Sequence, residues 1–224
     1  MVDTPRINQS RLEDLVEKYQ YFIFDCDGVL FHSGDEIGQA FSALKYIKKH
    51  PSKNKDVFFF TNATTRTREE LLKKVQTEHN YYDIPKENMY TASYLTARYC
   101  KDKLIPAMKA EKPTLFSKVE PSVFVIGEQG FKSELRNFGV RVINQEAEVY
   151  PQKTATNEYD FLEMAKKVDP SVVAVIVGTD FKLSSNKMAL ASLYINQNNA
   201  ELIGTNIDRN DGFDRLRPSG GSLV

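Results

Sequence analysis

Two aspartates stand two positions apart in Asp25-Cys26-Asp27-Gly28, directly after the apolar run Tyr21-Phe22-Ile23-Phe24. A carboxylate in such a place can attack phosphorus and form an aspartyl-phosphate. A second carboxylate can hand a proton to the leaving alcohol and later take one from water. An anionic nucleophile approaching an anionic phosphate needs a divalent cation, and magnesium suits a hard, oxygen-rich site. By composition alone, D-x-D-G should occur about 0.04 times in this chain. The competing reading is a solvated turn, where Asp and Gly are common for conformational reasons. Against it, Thr61-Asn62 ends the next apolar run, Val57-Phe58-Phe59-Phe60, in the matching place. A hydroxyl and an amide there could hydrogen-bond a phosphate oxygen, and a helix opening near Thr67 would add backbone N–H groups and a positive dipole end.

The elements that must position these residues follow from pattern. Short apolar runs stopped by turn residues predict strands buried on both faces at 21–24 and 57–60. Phe41, Leu44 and Ile47 fall on one face of a helix expected over 37–49, so the two strands form a parallel βαβ unit. In open parallel sheets, ligands sit beyond the carboxyl ends of the strands, which is where Asp25 and Thr61 fall. Ser10 with Glu13, and Thr67 with Glu70, read as capping boxes opening helices, the first carrying Leu12, Leu15, Val16 and Tyr19 on one face and the second running over 68–75. A third strand is expected at 89–91 and a helix at 93–103. Pro106, Pro113 and Pro121 mark 104–122 as a linker or surface excursion. Strands at 123–127, 172–178 and 200–204 alternate with helices at 131–138 and 186–197, and Gly139 stands as the residue ending the first of these helices. This second half predicts a further α/β layer.

Composition sets the outer limits. In 224 residues, 30 basic and 30 acidic side chains leave a formal net charge of zero, which argues against bulk nucleic-acid binding. No apolar run approaches the roughly 18–20 residues of a membrane span. Two cysteines are too few for a disulfide framework, and the acidic N-terminal stretch resembles neither a secretory signal nor an organellar presequence, so a cytoplasmic, reducing setting is expected. Cys26 reads as a small buried residue between the two acids and Cys100 as a packed helix residue. The three histidines, His32, His50 and His79, are too scattered to suggest a metal site of their own.

Asp25-Cys26-Asp27-Gly28-Val29-Leu30 and Thr61-Asn62 resemble the first and second motifs of the haloacid dehalogenase superfamily. The similarity is to the subgroup containing nitrophenyl phosphatase, phosphoglycolate phosphatase and pyridoxal phosphate phosphatase. Tyr90-Thr91-Ala92-Ser93-Tyr94 with Ala97-Arg98-Tyr99, Val125-Ile126-Gly127-Glu128-Gln129-Gly130, Val177-Gly178-Thr179-Asp180 and Gly204-Thr205-Asn206-Ile207-Asp208 extend the resemblance. It implies a Rossmann-like α/β parallel-sheet core, incomplete toward the C-terminus, with an inserted α/β cap domain. The core would occupy 1–103, the cap and its linker 104–205, and a return segment 206–224. It implies Asp25 as nucleophile and Asp27 as general acid/base, with the Asp25 carboxylate and the Asp27 backbone carbonyl as Mg2+ ligands. Thr61 and Asn62 would hold the phosphoryl group. Asn206 and Asp208 would sit at the rim of the cap where substrate is chosen, unless they are simple turn residues after a strand.

The resemblance has gaps. The family places a lysine and a strand ending in acids after the cap, yet no lysine occurs from Asn206 to Val224, and no apolar strand precedes Asp211 or Asp214. Ala63 stands where the subgroup commonly has a second asparagine, and the segment 101–122 is longer than the usual connection. The expectation is a truncated phosphatase acting on a small phosphorylated metabolite, feeble by itself for want of charge stabilisation in phosphoryl transfer. The alternative is a catalytically incomplete subunit of a larger assembly. A third reading is a split enzyme completed by another polypeptide. The resemblance implies a homodimer through the cap as one arrangement, and a partner chain over the incomplete core as another, which would cover the apolar edge left open.

Overall fold

The computed structural model describes residues 9–32, 34–51, 54–143, 165–166 and 168–207. The chain separates into two compact units, Met1–Thr61 with Glu69–Tyr90, and Asn62–Arg68 with Thr91–Val224. The mixed α/β composition with parallel sheets is the expected fold class.

The first unit runs α1 (Gln9–Lys18), β1 (Tyr21–Phe24), a two-residue hairpin β2 (Phe31–His32) and β3 (Asp35–Glu36), α2 (Ala40–Lys49), β4 (Asp56–Thr61), most of α3 (Arg68–His79) and β5 (Met89–Thr91). β1 and β4 pair in parallel with Phe24 opposite Phe59, and β5 completes a three-stranded sheet in the order β1-β4-β5. Phe41, Leu44 and Ile47 are buried as the helical spacing of α2 requires. Tyr81 packs against Phe41 and Phe59, ring centroids 5.7 and 6.4 Å away.

One expectation needs correction here. The strands are not buried on both faces: in β4, Val57 and Phe59 are buried while Phe60 is exposed, and in β1, Tyr21 is 61% and Ile23 66% exposed. Among the described residues β1 pairs only with β4, so it is an edge strand with one covered face. An apolar run cannot distinguish one covered face from two. The first helix is described from Gln9, and the capping box expected at Ser10 lies outside the described side chains. The second helix does open at Arg68, after Thr67, and continues past the expected end to His79.

The second unit contains α4 (Ala92–Tyr99), a π turn at Cys100–Leu104, α5 (Ile105–Glu111), α6 (Pro113–Phe116), β6 (Ser122–Ile126), α7 (Gln129–Asn137), β7 (Arg141–Val142), β8 (Val172–Val177), α8 (Ser185–Asn198) and β9 (Glu201–Gly204). Its four strands are parallel in the order β7-β6-β8-β9, and β6 and β8 are buried throughout. Residues 104–122 are largely helical: Pro106 directly follows the π turn in a helical run continuous with α4, and Pro113 stands in the first turn of α6, where a missing N–H breaks no helical bond. Leu104 and Phe116 are buried in one cluster with Ala97, Cys100, Val123 and Val125. Among the described residues, no helix is long and apolar enough to cross a membrane.

One buried cation ties α1 to β4. Lys55 is buried, and its Nζ donates to the carbonyls of Glu17 at 3.3 Å and Tyr19 at 2.7 Å, at the helix end whose dipole favours positive charge. Lys55→Met removes both bonds and leaves carbonyls unpaired. It should lower unfolding stability by about 1–3 kcal/mol, read from urea midpoints at unchanged slope.

Candidate active site

β1 ends at Phe24, and the chain turns within the next four residues. The Cys26 carbonyl accepts from three successive N–H groups, Val29 at 3.3 Å, Leu30 at 2.9 Å and Phe31 at 3.3 Å. The Gly28 N–H donates to the Phe31 carbonyl at 2.8 Å, closing the turn. Gly28 has φ +82, a left-handed conformation that costs a side-chain-bearing residue energy, which is why glycine follows the second aspartate. Cys26 is fully buried while Asp25 and Asp27 on either side are exposed. The Asp25 carboxylate accepts the Cys26 N–H through Oδ1 at 2.8 Å. Burial, and then the charges of Asp27 and Asp25, push the Cys26 thiol well above the ordinary range.

β4 runs parallel to β1 and ends at Thr61, which is buried, so Thr61 and the Asp25 loop leave the sheet at the same carboxyl edge. Asn62, next in the chain, is exposed and already belongs to the second unit. There the Nδ2 of Asn206 donates to the Asn62 carbonyl at 3.4 Å, so two of the expected substrate-side residues meet. Asp208 lies outside the described residues. The site residues thus fall into two groups: Asp25, Asp27 and Thr61 in the first unit, Asn62 and Asn206 in the second.

Asp25 and Asp27 offer only oxygen donors, exposed to solvent, and this chemistry fits a hard divalent cation such as magnesium. Two carboxylates would make only part of a coordination shell: among the described residues, no three acidic, histidine or cysteine side chains come together to hold a metal. The sequence reading missed the residues that grip the segment after Asn62. Thr64 is buried and its Oγ1 accepts from the Thr179 N–H at 3.1 Å, Ser93 Oγ donates to the Arg66 carbonyl at 3.2 Å, and the Arg68 N–H donates to Glu134 Oε2 at 3.2 Å. These partners are far apart in the chain, so no local pattern points to them. Ser93, Gly130 and Thr179 do stand in strings that carry the family resemblance, and that was the available signal.

A family model described as haloacid dehalogenase-like hydrolase matches residues 22–141. A 4-nitrophenylphosphatase of Schizosaccharomyces pombe is 29% identical over 197 residues, covering 88% of this chain and 59% of that protein. A mouse glycerol-3-phosphate phosphatase is 26% identical over 206 residues, covering 91% of this chain and 58% of its own length. The chain therefore spans under two thirds of these relatives. A solved glycerol phosphate phosphatase of Mycobacterium tuberculosis in complex with magnesium shares the fold at TM-score 0.62, with 18% identity over 92% of this chain and 50% of that one.

The thiols give a direct check on the packing at the turn. Cys26 is held far above neutrality, and burial pushes Cys100 up to about 12, so neither populates a thiolate at pH 7–8. Folded protein should leave both unmodified by a thiol-specific disulfide reagent at pH 8, and denatured protein should expose both; rapid labelling of Cys26 in the folded state would mean the turn is open.

Proposed function

This chain belongs to the haloacid dehalogenase-like hydrolases, and we propose that it carries the nucleophile-bearing part of a phosphatase that hydrolyses small phosphomonoesters through an aspartyl-phosphate. The observation that carries this reading is the pair of exposed carboxylates flanking buried Cys26, at the same sheet edge as the buried threonine that ends the neighbouring parallel strand. Similarity to phosphatases of nitrophenyl phosphate and glycerol 3-phosphate supports the substrate class.

In this reading Asp25 is the nucleophile. Its Oδ1 is engaged by the Cys26 N–H, which fixes the carboxylate and leaves the second oxygen to attack phosphorus. As the Asp25 O–P bond forms, the bond from phosphorus to the substrate alcohol breaks, and Asp27 gives that oxygen its proton. Asp27 then takes a proton from water, the water oxygen attacks the acyl-phosphate at phosphorus, and orthophosphate leaves with the Asp25 carboxylate restored. Thr61 and Asn62 would hold phosphoryl oxygens, and Asn206 and Asp208 are the residues to which substrate choice is assigned. The Asp25 carboxylate and the Asp27 backbone carbonyl would hold Mg2+, which would offset the negative charge gathered there. The cytosol is the proposed setting, supported by two cysteines that are both unpaired.

A second reading, a non-catalytic subunit of a larger assembly, draws on exposed Tyr21 and Ile23 along the edge of β1. The two separate in one assay: release of phosphate from 4-nitrophenyl phosphate with and without magnesium, for the 224-residue chain and for Asp25→Asn. We expect magnesium-dependent release, reduced on the order of a thousandfold or more by Asp25→Asn. Release unaffected by Asp25→Asn, or none above blank, would overturn the enzymatic reading in favour of the subunit.

A further inference from the structure

The parallel sheet of the second unit begins in its interior. From β6 the chain moves outward to β7 on one side, then crosses to β8 and β9 on the other. Strand order reverses between β6 and β8, and at such a point the loops beyond the carboxyl ends diverge and open a crevice that takes ligands in many α/β proteins. Its two walls here are Gly127–Gly130 after β6 and Gly178–Asp180 after β8. They are stitched together: the Glu128 N–H donates to the Thr179 carbonyl at 3.0 Å, and Glu128 Oε1 accepts from the Phe181 N–H at 2.9 Å.

The crevice is filled by the protein's own chain. Thr64 Oγ1 accepts the Thr179 N–H, and a Cβ built on Gly178 would stand 3.1 Å from that oxygen. A Cβ on Gly130 would meet the Thr65 carbonyl oxygen, and would stand 2.5 Å from Arg66 Cα and 2.9 Å from Arg66 N, all of it backbone that cannot swing aside. Ser93 and Glu134, both buried, grip Arg66 and Arg68 from the flanking helices. At one end of the gripped segment, Asn206 reaches the Asn62 carbonyl. A glycine at 130 is thus demanded by close backbone approach, not by an unusual φ.

We infer that this switch point works as an anchor for the Asn62–Arg68 segment, with Gly130 and Thr64 as positioning residues that fix Asn62. The inference rests on the proposed role of Asn62 in holding the phosphoryl group. It assigns to the second unit a part in transition-state geometry that is separate from contact with the substrate's leaving group. A displacement of the order of an ångström at a group that holds the transferring phosphoryl is enough to slow turnover strongly. Because such a loss falls on the transition state, it should appear in kcat more than in KM.

The test pairs local hydrogen–deuterium exchange with kinetics on the full chain, using 4-nitrophenyl phosphate with magnesium. In Gly130→Ala, amide exchange across 62–68 should rise at least about tenfold while β6 and β8 stay protected, and kcat should fall at least about tenfold with KM little changed. Thr64→Val removes the acceptor at nearly constant shape and should do the same to a smaller degree; Thr64→Ser, which keeps the hydroxyl, should restore both readouts. If Gly130→Ala does not fold, the Thr64 pair decides alone. Unchanged exchange across 62–68 in the variants that fold, or a Thr64→Ser as loose as Thr64→Val, overturns the anchor. Asp25→Asn separates the two proposals: it should leave exchange across 62–68 untouched, so absence of Asp25-dependent turnover would sink the phosphatase reading while exchange still decides the anchor.

Discussion

The burial of Cys26 governs the chemistry proposed for its neighbours. A residue inserted into the core between two others in a tight turn forces those two outward, and its carbonyl here gathers three N–H groups that fix the turn around it. Asp25 and Asp27 are exposed because Cys26 is not. The parallel pairing of β1 with β4 then sets the level at which the turn emerges, bringing Thr61 out of the same edge. Replacing Cys26 by a larger side chain would disturb both acids at once without touching either carboxylate, since a close-packed interior yields little to added volume.

The covalent path crosses between the compact units at Thr61 and Asn62. Thr61 is held by a sheet ladder, whereas Asn62 to Arg68 is held by side chains and close backbone approaches within the second unit. The two residues proposed to hold one phosphoryl group are therefore set by different physical means. The first is as rigid as the strand that ends in it. The second depends on a handful of contacts, each contributing on the order of 1 kcal/mol, which makes it the part of the site most sensitive to distant substitution.

Much of this was legible in the sequence, and the failures have physical causes. Strands β1, β4, β6 and β8 are visible as short apolar runs, and α2 and α7 as spaced apolar residues, because core burial acts directly on those patterns. The Asp25–Gly28 turn is visible because a left-handed position selects glycine. The exposure of Tyr21 and Ile23 is not visible in their own apolar run, although the family resemblance did lead to an open apolar edge: what covers a strand belongs to its neighbours, not to its own residues. Helices α5 and α6 hid behind prolines, Pro106 accommodated just after a π turn and Pro113 harmless in a first turn. Strands of two residues, such as β7, are too short to show any period. The grip on 62–68 is made by residues from 27 to 144 positions away, beyond the reach of local pattern.

The most direct measurement of the central claim is covalent. The chain would be mixed with 4-nitrophenyl phosphate and magnesium, quenched in acid during turnover, reduced with borohydride and mapped by peptide mass spectrometry. An acyl-phosphate on a carboxylate is reduced to the alcohol, so phosphorylation at Asp25 would leave homoserine at that position and nowhere else. Homoserine at a different aspartate, or phosphate release with no carboxylate modified, would contradict the assignment of Asp25 as the group that takes up the phosphoryl.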